Sequence, residues 1–492
     1  MIPNGLLLLL PLLIPVIGGL CVALTGAQNG KGARRAAVTV TLALTVAAVA
    51  LVLLGGDESL ELFRLAPGIP VLLKIDAVGR LFAGFISVVF LCVGIYSFEY
   101  MRREKNEKRF YIFYLLTLAA LMGLSLCGNI VTLYMFYVVM MLLSLPLVIH
   151  SKTKEAVAAG IKYLVYSVIG ASLVLAGILL LNKYASTLTF AAGGVLDMSK
   201  AAGHESQLLV VLFLMVLGFS VKAGMFPLYG WLTAAHSVAP APTCAVLSGV
   251  ITKAGVLGII RVIYYLAGAD FLRGTWVQIT WLILAIVTVF LGSVLAFKEG
   301  VFKKRLAYST VSQVSCALLG LFTMTQWGVV GALLHVIFHS IIKSALFMTA
   351  GAVIDKTGKT KVAELTGIGK QMPVVMWCYT IASLGLIGIP PTCGFISQWY
   401  LAQGGLSLSF AWNWVGPAVL LISAILTAGY LFSIVIRGFF PGNDIPRENL
   451  PKAEPGFVML APMIVLAALC LGLGMFPAAL TEWLSRVAGG LI

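Results

Sequence analysis

Fourteen apolar segments of roughly twenty residues follow one another along the chain, the first at 5–26 and the last at 456–487. That length matches the hydrocarbon core of a bilayer, so the pattern predicts an all-α polytopic membrane protein with about 14 transmembrane helices. Of the 492 residues 60% are hydrophobic and only 10% charged, which excludes a water-soluble domain. The 51 glycines are set among Leu, Val, Ile, Ala and Phe, which excludes collagen-like and disordered chains. The run from Gly5 to about Gly26 is long enough to span and is expected to be the first helix rather than a cleaved signal.

The formal charge of +15 would suggest nucleic acid in a soluble protein, but membrane chains place cations in loops for topological reasons. Odd-numbered loops hold 21 Lys and Arg, Arg447 among them, and even-numbered loops with the C-terminal end hold 7. By the positive-inside rule both termini face outward across a cell membrane, plasma or inner. The eight cysteines stand singly in apolar segments without metal-ligand spacing, so neither a disulfide framework nor a metal or iron–sulfur site is expected. There is no nucleotide loop and no G-x-G-x-x-G, so no cofactor and no catalytic site are expected on this chain.

Two segments are interrupted. The seventh contains Gly224, Pro227 and Gly230, and the twelfth contains Gly385, Gly388, Pro390, Pro391 and Gly394. Proline removes a backbone donor, and the carbonyls freed at a break are tolerated only inside protein or beside water. Two breaks about 164 residues apart suggest an internal repeat and an ion path, although a packing kink is the plainer alternative for either one.

Five cations fall inside or near the ends of spans: Lys162, Lys222, Lys253, Arg261 and Lys343. Lys162 and Arg261 are placed where they could snorkel to an interface. Lys222, Lys253 and Lys343 are not, and each costs about 2.5–3.5 kcal/mol to insert. All eighteen carboxylates fall in loops or at segment ends, with Glu99 and Asp76 the closest to the membrane, so no buried acid of this chain is available to pair with these lysines. An ammonium without a carboxylate in low dielectric can load and release a proton, as a relay requires. Hydration in a cavity or a neighbouring subunit's carboxylate is the structural alternative. His335, His339 and Lys343 recur every four residues and share one helical face, with Ser309, Ser312 and Gln313 on the preceding segment as extensions of a wet path.

These residues lie in stretches that resemble the antiporter-like membrane subunits shared by respiratory complex I (NADH:quinone oxidoreductase), membrane-bound hydrogenases and multisubunit Na+/H+ antiporters. The stretches are VKAGMFPLYGWL from Val221, AHSVAPAP from Ala235, LSGVITKAG from Leu247, RLAYSTVSQ from Arg305, HVIFHSIIKSALFMTAG from His335 and GIPPTCGFISQWY from Gly388. The resemblance implies two inverted five-helix repeats with broken helices 7 and 12. It divides the chain into a three-helix segment at 1–109, repeats at 110–266 and 275–437, and a C-terminal helix at 438–492. It implies a subunit that translocates protons or Na+ under the drive of other membrane subunits, with Lys222, Lys253, His335, His339 and Lys343 at the family's polar positions. Two departures are evident: Val138 stands where a fifth-helix glutamate is usual, and Gln398 where a twelfth-helix lysine or glutamate is usual. They leave open a non-pumping structural or coupling subunit.

Overall fold

The computed structural model describes residues 4–26, 30–66, 68–442 and 451–492; Arg447, counted above among the loop cations, lies outside them. After a short 3-10 turn the chain forms α1 (Leu10–Leu24), α2 (Lys31–Leu54), a hairpin of β1 (Ser59–Ala66) and β2 (Ile69–Lys74), α3 (Ala77–Tyr100), α4 (Glu107–Ser125), α5 (Ile130–Val148) and α6 (Lys154–Leu181). Then come α7 (Glu205–Ala223), α8 (Gly230–Val238), α9 (Ala241–Ala267), α10 (Trp276–Lys298), α11 (Phe302–Thr323) and α12 (Gln326–Thr357). The chain closes with α13 (Pro373–Ile387), α14 (Cys393–Leu406), α15 (Val415–Phe439), α16 (Phe457–Met475) and α17 (Ala478–Leu491); single-turn helices in the loops are left unlabelled.

Thirteen helices among the described residues are long and apolar enough to cross a membrane. The twelfth segment instead forms two shorter pieces, α13 and α14, of 15 and 14 residues. Burial sorts the helices. An apolar helix can face either lipid or protein, and α9 and α12 are enclosed by protein along their whole apolar windows, α11 along 94% of its own. The windows of α1, α2, α6, α15 and α16 are only 33–39% buried, so these helices face outward. Interior helices carry the chain's polar side chains, because only there can those groups find partners.

The starts of α3, α5 and α12 are capped by side chains. Asn129 accepts from the Thr132 amide at 2.7 Å, Asp76 from the Gly79 amide at 2.8 Å and Thr325 from the Gly328 amide at 3.2 Å. The hairpin is antiparallel, pairing Ser59 with Lys74, and it is tied to the start of α5 by Leu72 N to Thr132 Oγ1 at 2.9 Å and Asn129 Nδ2 to Pro70 O at 2.6 Å. The last apolar segment, expected as one helix over 456–487, is two. Pro477 follows the end of α16, and α17 runs past the start of α12, where Gln326 Nε2 donates to Ser485 O at 3.4 Å, to the end of the hairpin. A cavity of about 360 Å³ there lies between Asp57, Lys74 and Asp76 on one side and Arg486 and Leu491 on the other.

Candidate ion path

Both interruptions are built alike. α7 ends at Gly224, whose φ of +79° only glycine adopts freely, and the amides of Gly224 and Met225 both donate to Ser220 O at 2.9 and 3.1 Å. α13 ends at Gly388 with φ +88°, and the amides of Gly388 and Ile389 both donate to Leu384 O at 3.0 and 3.1 Å. Pro227 lies in the first gap, and Pro390 and Pro391 lie in the second.

Lys222 occupies the last turn of α7 and has no exposed surface. Its ammonium donates to the Tyr163 hydroxyl on α6 and lies 4.1 Å from that ring centroid and 5.3 Å from the Trp231 ring. Tyr163 in turn is 2.6 Å from Ser144 Oγ on α5, and Trp231 Nε1 is held by Val221 O at 2.7 Å. A hydroxyl and two aromatic faces therefore stand where a carboxylate would otherwise neutralise the charge. Val138 is half-buried and lies about 100° around α5 from Tyr137 and Ser144, whose buried stripe is completed by Met141. No described residue of α5 offers Lys222 an acid.

Lys253 and Lys343 flank a second polar network. α9 opens into wider π turns at 247–251 and 261–267, and the Lys253 ammonium, 1% exposed, donates to Ser248 O inside the first of them. Ser248 Oγ lies 2.7 Å from Thr310 Oγ1 on α11, and Thr310 donates to Leu306 O at 2.9 Å. The same carbonyl accepts from Lys343 Nζ at 3.0 Å, and Lys343 also donates to Ser309 Oγ. One turn of α11 thus joins a lysine of α9 to a lysine of α12. Among the expected extensions, Ser309 is in this network and the carbonyl oxygen of the Gln313 side chain is buried without a partner. Ser312 is elsewhere, bonded to Ser293 at 2.8 Å and Ser423 at 3.2 Å between α10 and α15.

His335 and His339 continue the Lys343 face of α12 toward the second break. Their rings stack with centroids 5.8 Å apart, and His335 Nδ1 lies 3.0 Å from Ser397 Oγ on α14. Nε2 of each is buried without a partner. Gln398 turns away from this line: its Nε2 donates to Leu386 O at 3.3 Å across the break, and it borders a cavity of about 400 Å³ toward α15.

Three placements depart from the sequence reading or add to it. Arg261 does not snorkel: it is fully buried, makes a two-pronged ion pair with Asp76 at the start of α3, and is sandwiched by Phe190 and Tyr265 at 4.8 and 4.4 Å. Burial pushes the Asp76 carboxyl up, but the charge and hydrogen bonds of Arg261 outweigh it and hold the carboxyl below its usual range. Lys162 is exposed on the outer face of α6. His236 on α8 was missed; it is fully buried, stacks on Phe347 at 4.6 Å and has both ring nitrogens unpartnered. Its signal was present in the sequence as a histidine inside the AHSVAPAP stretch.

The fold and this interior define a class: a multi-pass helical membrane protein whose buried polar axis runs through enclosed helices. Residues 127–427 match the family described as "NADH:quinone oxidoreductase/Mrp antiporter, TM", and residues 67–111 match "NADH-Ubiquinone oxidoreductase (complex I), chain 5 N-terminus". The chain belongs to this family of antiporter-like membrane subunits. It is 32% identical over 395 residues to NADH-quinone oxidoreductase subunit N of Desulforudis audaxviator, covering 78% of this chain and 77% of that one. It is 29% identical to a Na(+)/H(+) antiporter subunit of Alkalihalophilus pseudofirmus, over 99% of this chain and 97% of that one. A chain of the Mrp complex from Dietzia sp. DQ12-45-1b superposes with a TM-score of 0.87 at 22% identity, covering 100% and 98% of the two chains, which shows a shared fold.

Proposed function

We propose that this chain is a cation-translocating membrane subunit of a larger complex, of the complex I, hydrogenase or multisubunit Na+/H+ antiporter kind, and that protons pass by way of Lys222, Lys253, Lys343, His339 and His335. Family membership supports the translocating role. The observation that carries the route is the buried polar cluster between Lys253 and Lys343: the Ser248 and Thr310 hydroxyls bond each other, and the Ser248 and Leu306 carbonyls accept from the two ammoniums. The two hydroxyls both donate and accept while the carbonyls only accept, so water drawn in beside the Ser248–Thr310 pair completes the transfer, and an ammonium bonded only to neutral oxygens can release the proton.

In this reading the chain has fourteen crossings, with α7–α8 and α13–α14 each counted as one, arranged as two inverted repeats at 110–266 and 275–437. The breaks at Pro227 and at Pro390–Pro391 let water reach the ends of the axis. Both termini face outward, as the loop charges require. Energy arrives from partner subunits. A Lys222 ammonium bound to Tyr163 is a charge that this contact can hold or release, and His236, with two free ring nitrogens near Lys343's helix, is a candidate stepping stone between the halves.

The test is ion translocation by the intact complex in proteoliposomes. Lys222→Ala with the assembly preserved should lower transport per complex by about tenfold or more. Unchanged transport would leave the chain a scaffold.

A further inference from the structure

Lys222, Lys253 and Lys343 are at most 1% exposed, so no neighbouring subunit reaches them while this chain keeps its fold. Lys162 is different. It stands on the exposed face of α6 beside Ile161, Val165 and Ile169, which are 57%, 48% and 54% exposed. It lies eight residues past the start of α6 at Lys154, about 12 Å along the axis. A lysine of a membrane helix relieves its cost by reaching back toward the nearer water, and side chains in a helix already lean toward its N-terminus. Here the ammonium lies against the start of α8. A Cβ placed on Gly230, the first residue of α8, would lie 3.4 Å from Lys162 Nζ and 3.3 Å from the Tyr166 hydroxyl, one turn further into α6. Among the described residues Lys162 joins no ion pair.

We propose that the α6 face around Lys162 is an interface for a membrane helix of another subunit, and that this helix brings an Asp or Glu to Lys162 at the level of the α7–α8 break. Charge complementarity selects that occupant: an exposed cation among exposed apolar side chains is stable against a carboxylate and costly against acyl chains. The adjacent residue, Tyr163, holds Lys222. Tyr163 faces the buried side, about 100° around α6 from Lys162, so α6 itself carries the effect of a carboxylate at Lys162 to the first lysine of the proposed route, in place of the acid missing from α5. This last step rests on the translocation reading; the interface does not.

The test replaces Lys162 in the native complex by photo-lysine, which keeps the amine, and maps the adduct after irradiation in native membranes. Insertion into a transmembrane segment of another subunit within one turn of an Asp or Glu is the expected result. Insertion into lipid, or into a segment without a carboxylate, overturns the proposal. In proteoliposomes Lys162→Gln should then lower transport by about tenfold while Lys162→Arg stays near the parent; equal transport in both overturns the coupling to Lys222. If Lys222→Ala leaves transport intact but the photo-lysine adduct maps to a carboxylate-bearing helix, the translocation reading fails and the interface stands.

Discussion

Two groups of buried cations stand in contrast, one at the rim of the interior, where α9 ends against the start of α3, and one at its centre. At the rim Arg261 meets Asp76 in a two-pronged ion pair with aromatic rings on either side. At the centre Lys222, Lys253 and Lys343 meet only hydroxyls and carbonyls. The chemistry of the side chains matches the difference. A guanidinium keeps its charge in a protein and fits a carboxylate with a rigid fork, so the rim pair is a fixed brace between α3 and α9. An ammonium with neutral acceptors has nothing to lock its protonation state. One region is stable because its charge is constant, and the other suits transport because its charge can change.

The rim should be the costliest place to cut. Arg261→Met leaves Asp76 without its counter-ion and should destabilise the chain by about 3 kcal/mol, the low end for a broken buried pair because the Asp76 side chain keeps 23% exposure. Thermal unfolding of the solubilised complex at neutral pH checks this. The pH dependence follows from the direction of the Asp76 shift. A carboxyl held below its unfolded value, about 3.9, contributes stability that is present above that value and lost as pH falls through the lower folded one. The gap between parent and variant should therefore narrow below about pH 4. A gap that widens in acid would mean that Asp76 is not the partner that matters.

Next in size is Lys343→Arg. It preserves a positive charge but not one that can be given up, and it should lower transport by about tenfold or more with assembly intact. Parent-like transport in the arginine variant would erase the contrast between centre and rim. Thr310→Val is a smaller probe of the same region. It removes the hydroxyl between Ser248 Oγ and Leu306 O without changing shape much, and a lost hydrogen bond worth about 1 kcal/mol corresponds to roughly fivefold slower transport. Proton transfer measured at several pH values would show whether the loss lies in this step.

Much of this contrast was legible in the sequence, because insertion cost makes an intramembrane lysine conspicuous and proline makes a break conspicuous. The thirteen long helices and both gaps fall where hydropathy and Pro227, Pro390 and Pro391 put them. Pairing across the fold was not legible. Asp76 and Arg261 are 185 residues apart, and nothing local distinguishes an arginine that snorkels from one that finds a distant carboxylate. The Ser144–Tyr163 support of Lys222 was hidden for the same reason, since Ser and Tyr are ordinary in membrane helices. The hairpin at 59–74 escapes a reading tuned to twenty-residue spans, because its strands are eight and six residues long. α17 merges with α16 in such a reading because its apolar side chains continue the hydropathy run past Pro477, although the proline ends the helix.

Gln398 is the gentlest probe and separates position from chemistry. The sequence reading expects a lysine or glutamate at this position, and on that reading alone the glutamine is a gap in the route. In the structure Ser397, not Gln398, meets His335, while the Gln398 amide crosses the α13–α14 break to Leu386 O at 3.3 Å and is only partly buried. A long, half-exposed hydrogen bond is worth about 0.5 kcal/mol, so Gln398→Ala should change transport by less than about twofold. Ser397→Ala, which strips His335 Nδ1 of its partner, should do more. If the order is reversed, the end of the route runs through the cavity beside α15 rather than along the histidine face of α12.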